Sequence, residues 1–271
     1  MLVLRQTLRY DYPSPIEQLR HHLMVVPPAR HGDQQRIASS LEVRGAQVEV
    51  EESIDHFGNV AVKIRAPRVQ RKVEFLVAVT VERRDGPGPV ADAHPFLDPT
   101  PLTEPDAALA AAAHRLGGAG EEPGLELAGR INAWVAAAMR YRHDVTSVRT
   151  TAAEALALRR GVCQDYAHVM LALCRLCGLP ARYVSGHLVG EGGSHAWVEV
   201  LLPSPEAPSL LAAVAFDPTN DRRAGLRYLT VAVGRDYADV APTSGTFSGP
   251  AGGRLTTSKT LDEEAVDLVP A

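Results

Sequence analysis

The spacing of apolar residues changes once along this chain, and that change constrains the fold more than any other feature. Up to residue 84, apolar side chains fall on every second position: Leu2, Leu4, Leu8 and Tyr10, then Val48 and Val50, then Val60, Val62 and Ile64, then Val73, Phe75, Val77, Val79 and Val81. Period two is the mark of strands with one buried face, and turns between the runs make the strands antiparallel. Asp55-His56-Phe57-Gly58-Asn59 separates two runs and reads as a turn. Residues 1–84 are therefore predicted to be an antiparallel β-sandwich. Six prolines follow between Asp85 and Pro105 (87, 89, 95, 99, 101 and 105), too many for a helix or an inner strand. That stretch, 85–105, is the expected linker.

Beyond it the pattern turns helical. Thr103 with Asp106 reads as a capping box before an alanine-rich helix ending near Gly117 and Gly118, and a second helix is predicted from Leu125 to Arg140. Thr151 with Glu154 opens a short helix expected to stop at Gly161. From Cys163 to Cys177 the chain is apolar nearly all round, with Gly178 and Pro180 as stop signals, so a buried central helix is predicted. Strands are expected at 182–189, 194–202, 211–216 and 226–233. Residues 106–271 thus read as one α+β unit, helices first and an antiparallel sheet with C-terminal strands after.

Bulk properties exclude several classes. The chain has 271 residues, 45% hydrophobic and 22% charged, with a formal net charge of -4. Neither nucleic acid nor an anionic membrane is an expected partner. The longest apolar run, Val169 to Leu176, contains Arg175 and falls short of the roughly 18 residues that cross a bilayer. With no basic and apolar leader at residues 1–7 and only three cysteines, the expected setting is the cytoplasm.

Chemistry concentrates at three points. In Arg160-Gly161-Val162-Cys163-Gln164-Asp165-Tyr166-Ala167-His168, a glycine turn delivers Cys163 to the first turn of the buried helix. Free backbone N–H groups and the helix dipole favour a thiolate there and can donate to an oxyanion. Cys174 and Cys177, late in the same helix, read as core packing. In Gly192-Gly193-Ser194-His195-Ala196-Trp197-Val198-Glu199-Val200, a glycine turn feeds a strand with His195 at its head, where a base is rigidly held yet open to a cleft. Alternation puts His195, Trp197 and Glu199 on one face. In Phe216-Asp217-Pro218-Thr219-Asn220, an aspartate ends an apolar strand before a proline turn. Alone, Asp217 would be turn chemistry. Together the three supply a nucleophile, a base and an orienter from three rigid elements.

These segments, with Val-Ala-Val-Gly-Arg-Asp-Tyr-Ala-Asp-Val at 231–240 and Phe57-Gly58-Asn59 in the β region, resemble the bacterial transglutaminase-like proteins, a group often labelled cysteine proteases. The resemblance implies a papain-like core with Cys163 as nucleophile, His195 as base and Asp217 as orienter, acting on amides through a thioester. It also implies an oxyanion donor upstream of the cysteine, for which Tyr141 is the candidate. Asp165 is expected to cap the helix, and Gln164 and His168 to support the site or pack in the core. His187, alternating with Ser185, is expected to be exposed. A zinc site drawn from Cys163, Asp165, His168, His187 or His195 is the rival chemistry, but no His-x-x-x-His, Cys-x-x-Cys with a His pair, or His-Glu-x-x-His stands at ligand spacing.

The expected reaction begins with attack of the Cys163 thiolate, paired with protonated His195, on a peptide or glutamine-type amide. Hydrolysis of the thioester is preferred, because water needs no second binding site. Transfer to an amine, as in cross-linking or ligation, and a catalytically silent peptide-binding cleft are the alternatives. An arylamine N-acetyltransferase would share the triad order, but nothing in the chain suggests a coenzyme A site. No metal or organic cofactor is required.

Overall fold

The computed structural model describes residues 1–84, 89–90, 93–117, 124–204, 210–250 and 252–264. Strands β1 (Leu2–Asp11), β2 (Ile16–Leu23), β3 (Arg30–His31), β4 (Gln34–Arg44), β5 (Glu49–Ile54), β6 (Val60–Val69) and β7 (Lys72–Arg83) form the first unit. Then come β8 (Pro89–Val90), α1 (Ala107–Gly117), α2 (Leu125–Ala138), β9 (Arg140–Tyr141), α3 (Ala152–Leu158), β10 (Arg160–Gly161) and α4 (Cys163–Leu176). The chain continues through β11 (Ala181–Leu188), β12 (His195–Pro203), β13 (Leu211–Asp217), β14 (Arg222–Arg223), β15 (Tyr228–Gly234), β16 (Thr243–Ser248) and β17 (Arg254–Glu263). The fold is α+β, as the patterning predicts.

In β7 every second residue, Val73 through Val81, is buried. It pairs with β1 and β4 in a sheet ordered β17-β1-β7-β4-β3. A second sheet, β16-β2-β6-β5, faces it across a core where His21 of β2 meets Tyr10 and Phe75. The Val48 and Val50 run is the weakest of the expected strands: β5 lies at a sheet edge and Val50 is exposed. The 55–59 turn forms as expected. Asp55 Oδ1 accepts from the Phe57 and Asn59 amides, and Gly58 takes the left-handed φ of +85°.

Strands β16 and β17 correct the expected organisation. The sequence reading places them with residues 106–271, yet β17 pairs along the whole of β1 and β16 pairs with β2. The sandwich is thus closed by the end of the chain. The proline-rich stretch also differs from a free tether in its described part: Pro89–Val90 pairs with β13, and Phe96, Thr100 and Thr103 are buried. Thr103 and Asp106 form no capping box. Thr103 Oγ1 is turned inward to accept from the Thr100 amide and Arg175, while Asp106 alone caps α1 through the Leu109 amide. Residues 85–88, 91–92 and Gly118 lie outside the described residues.

The core sheet runs β14-β13-β12-β11-β15, with α4 packed across β11 and β12 and the other helices around α4. Helix α4 is buried all round, as its composition predicts, and ends with Gly178 at φ +74°. The Thr151–Glu154 capping box is present, but α3 stops at Arg159, in a left-handed conformation, rather than at Gly161. That frees Arg160–Gly161 to pair in parallel with Arg140–Tyr141, so α2 ends two residues early.

Candidate active site

Cys163 stands first in α4, and Asp165 builds the start of that helix. Its Oδ2 accepts from the Val162 amide and from Thr146 Oγ1, both at 2.7 Å, which gives Asp165 the capping role expected of it. Asp165 fits only because residue 161 is glycine: a Cβ there would collide with its carboxylate. Cys163 is half-buried, whereas Cys174 is buried in the core. Burial pushes the Cys174 and Cys177 thiols up.

His195 opens β12 beside β11, where Gly186 lies opposite it. A Cβ at Gly186 would strike the Trp197 ring and the Leu229 carbonyl, so the glycine lets Trp197 lie against the strand. His195 Nε2 is 2.8 Å from Asp217 Oδ2, and Cys163 is among the groups that raise the pKa of its ring. Burial alone would favour the neutral imidazole, but the hydrogen bond the ring makes to Asp217, with Cys163 and Glu191 nearby, outweighs it and raises its pKa to about 11.

Asp217 is fully buried at the end of β13. Its Oδ1 accepts from the Thr219 and Asn220 amides, and its Oδ2 from Asn220 Nδ2 and Tyr228 Oη, each of the last two at 2.7 Å. Together with His195 these donors hold the carboxyl below its ordinary pKa against the opposing effect of burial. Arg222 Nε donates to Tyr228 Oη from behind, orienting the phenol.

Tyr141 pairs with Gly161 across the β9–β10 ladder and so stands beside the cysteine turn. Burial first, then nearby Cys163 and Glu191, push its phenol up to about 12, so it remains an O–H donor at neutral pH. Gln164 is buried next to Cys163, and its Nε2 has no hydrogen-bond partner among the described residues. His168 lies apart from this group. Its Nε2 accepts from the Tyr237 amide, its ring contacts Tyr183, and burial lowers its pKa to about 4.

His187 corrects another expectation. It is buried rather than exposed, and burial lowers its pKa to about 3. The sandwich covers the face that strand alternation alone left open. Glu199 shares the face of His195 but belongs to a different cluster, with Arg182 at 2.7 Å and His31 of the sandwich at 3.0 Å. Among the described residues, no three His, Cys, Asp or Glu side chains come together as a metal site.

Three further residues at the site carry no role in the sequence reading. Asn220 stands inside the quoted Phe-Asp-Pro-Thr-Asn segment, and Glu191 lies four residues before His195, so both have a local signal. Tyr228 has none, because only sheet order brings β15 and the β13 turn together.

An α+β fold with a cysteine at a central helix start and a histidine–aspartate pair on the adjoining sheet defines a class. Residues 111–207 match the model of the Transglutaminase-like superfamily, and residues 2–82 that of the Bacterial transglutaminase-like N-terminal region. The chain thus carries a transglutaminase-like core region together with the bacterial transglutaminase-like N-terminal region. It is 37% identical over 163 residues to an uncharacterized protein of Mycobacterium leprae, covering 56% of this chain and 55% of that one. It is 36% identical over 141 residues to one of Mycobacterium tuberculosis, covering 48% and 42%. The chain thus spans about half the length of these curated relatives. A crystal structure from Cytophaga hutchinsonii, described as a candidate cysteine protease, superposes with a TM-score of 0.78 over 99% of this chain and 92% of that one, at 23% identity. That likeness is one of fold. No helix among the described residues is long and apolar enough to cross a membrane.

Proposed function

We propose that this protein is a cysteine-dependent amide hydrolase or acyltransferase acting on peptide or glutamine-type amides through a thioester, with water the preferred acceptor. The observation that carries this reading is the bond from His195 Nε2 to Asp217 Oδ2, at 2.8 Å, on a ring whose pKa nearby Cys163 helps to raise. In this reading Asp217 fixes the tautomer and stabilises the imidazolium. The sulfur attacks the amide carbonyl, the C–N bond breaks, and the His195 proton leaves with the amine. Amides at the start of α4 and the Tyr141 hydroxyl would receive the developing oxyanion. A peptide or protein is the expected partner, no cofactor takes part, and a reducing, cytoplasmic setting suits three free cysteines.

Peptide and glutamine-containing libraries incubated with wild type and with Cys163→Ala, and read by mass spectrometry, test the reaction directly. Mass changes of one amide hydrolysed per product in wild type alone are expected. Equal products from both proteins, or none from either, would remove the assignment. Iodoacetamide should label Cys163 ahead of Cys174 and Cys177, whose thiols burial keeps protonated.

A further inference from the structure

One charged side chain touches the imidazole without a part in that reaction. Glu191 Oε2 lies 3.2 Å from His195 Nδ1, while Asp217 holds the other nitrogen, Nε2. Hydrogen-bond chemistry makes this pairing informative. An ionised carboxylate only accepts, and a neutral imidazole has one N–H to give. Asp217 receives bonds from Thr219, Asn220 and Tyr228, which commits it to accepting. Glu191 has a side chain 39% exposed and is held below its ordinary pKa, chiefly by the bond to His195. Carboxylates on both nitrogens require a proton on both, so the ring is gripped as imidazolium. Since Nε2 is committed to Asp217, Nδ1 is the nitrogen left to serve both Glu191 and Cys163.

The turn bearing Glu191 is anchored from the sandwich. Gly190 takes the left-handed φ of +91°, which lets the chain reverse before Glu191. Lys259 Nζ of β17 then donates to the Gly193 carbonyl at 2.6 Å. Strand β17 thereby reaches His195 through two contacts.

We propose that Glu191 is a positioning residue that keeps the resting proton on His195 Nδ1, and that Lys259 holds its turn in register. This rests on His195 being the catalytic base. During acylation the Cys163 sulfur forms the C–S bond, the C–N bond breaks, and the Nδ1 proton passes to the departing nitrogen. Neutral His195 then keeps its bond to Asp217 alone. In the second half, water adds its hydroxyl to the acyl carbon and returns its proton to Nδ1, where Glu191 captures it as Cys163 leaves as thiolate. Other charges reach this ring at longer range: His187 from β11, Arg222 through Tyr228 and Asp217, and Lys259 through Glu191.

The test is an NMR titration of the His195 ring in Cys163→Ala, where sulfur makes no contribution, with and without Glu191→Gln. Loss of the carboxylate should lower the pH at which the ring deprotonates by about one unit or more. Glu191→Asp should recover part of that change, and Lys259→Met should produce a smaller change in the same direction. A His195 titration that Glu191→Gln leaves in place would overturn the proposal, as would equal effects of Gln and Asp. If the library experiment instead finds Cys163 dispensable, the catalytic reading fails while the titration still reports on Glu191, so the two failures are told apart.

Discussion

Asp217 shows how much one buried side chain carries. One oxygen braces the Pro218 turn through the Thr219 and Asn220 amides, and the other faces His195, so the turn and the proposed orienting role draw on the same carboxylate. Asp217→Asn therefore should cost both. Turnover should fall roughly 10 to 10³-fold, because an amide can present a donor to the imidazole and favour the wrong tautomer. The melting temperature should fall too, by the equivalent of about 1–3 kcal/mol, since charged acceptors of buried donors are the costly ones to lose. Wild-type turnover with confirmed folding would remove Asp217 from the proposed triad. His195 adds a pH signature. Its pKa is raised in the folded protein, so its contribution is complete below the unfolded value near 6.5, weakens above that, and is gone once pH passes about 11. Thermal melts from pH 7 to 11 should decline more steeply in wild type than in His195→Ala, and parallel slopes would contradict the shift.

At the scale of elements, α4 sets the position of Cys163, the proposed nucleophile, and is itself set by Arg175. This arginine interrupts the apolar run in sequence, yet it is buried, bonding the Phe96, Ala181 and Arg235 carbonyls and Thr103 Oγ1. Burial draws it down to about 10, so it keeps its charge at neutral pH. One side chain thereby ties the end of α4 to the proline-rich stretch, to the start of β11 and to the chain after β15. Arg175→Ala should destabilise the protein by about 2–4 kcal/mol, because it strands several buried acceptors at once. Chemical denaturation with an unchanged midpoint would show that water replaces those bonds. The β9–β10 ladder acts in the same way at the other end of α4, holding Tyr141 over the turn that leads to Cys163.

Across the whole molecule, the sandwich seals the edge of the core sheet. Among the described residues, strand β15 has β11 on one side only, and two amide side chains bond its other edge where a further strand would lie. Gln34 exchanges two hydrogen bonds with Thr230 backbone, at 2.8 and 2.9 Å, and Asn59 exchanges two with Val233 backbone, at 2.7 and 2.8 Å. The edge is covered rather than left open for another chain. The Glu199 cluster with His31 and the Lys259 contact add further ties. The protein should accordingly melt in a single transition. Gln34→Ala combined with Asn59→Ala should lower the midpoint by the equivalent of about 2–6 kcal/mol, from two buried amides at about 1–3 kcal/mol each. Calorimetry resolving two transitions already in wild type would refute the coupling.

The amino-acid sequence alone determined what local periodicity and local geometry control: the α+β class, the β character of the first third, the buried helix opened by Cys163, and the strands that begin at His195 and end at Asp217. These follow from spacing along the chain, because side chains two apart share a strand face and glycine marks where backbones must reverse or approach. Tertiary structure decided everything that depends on residues distant in sequence. It brought β16 and β17 back to the sandwich, buried His187 beneath it, turned Thr103 from a helix cap to a partner of Arg175, and set Tyr228 against Asp217. The physical reason is the same in each case. A polar side chain takes the partner that burial leaves it, and which groups are buried together is settled by how the sheets pack.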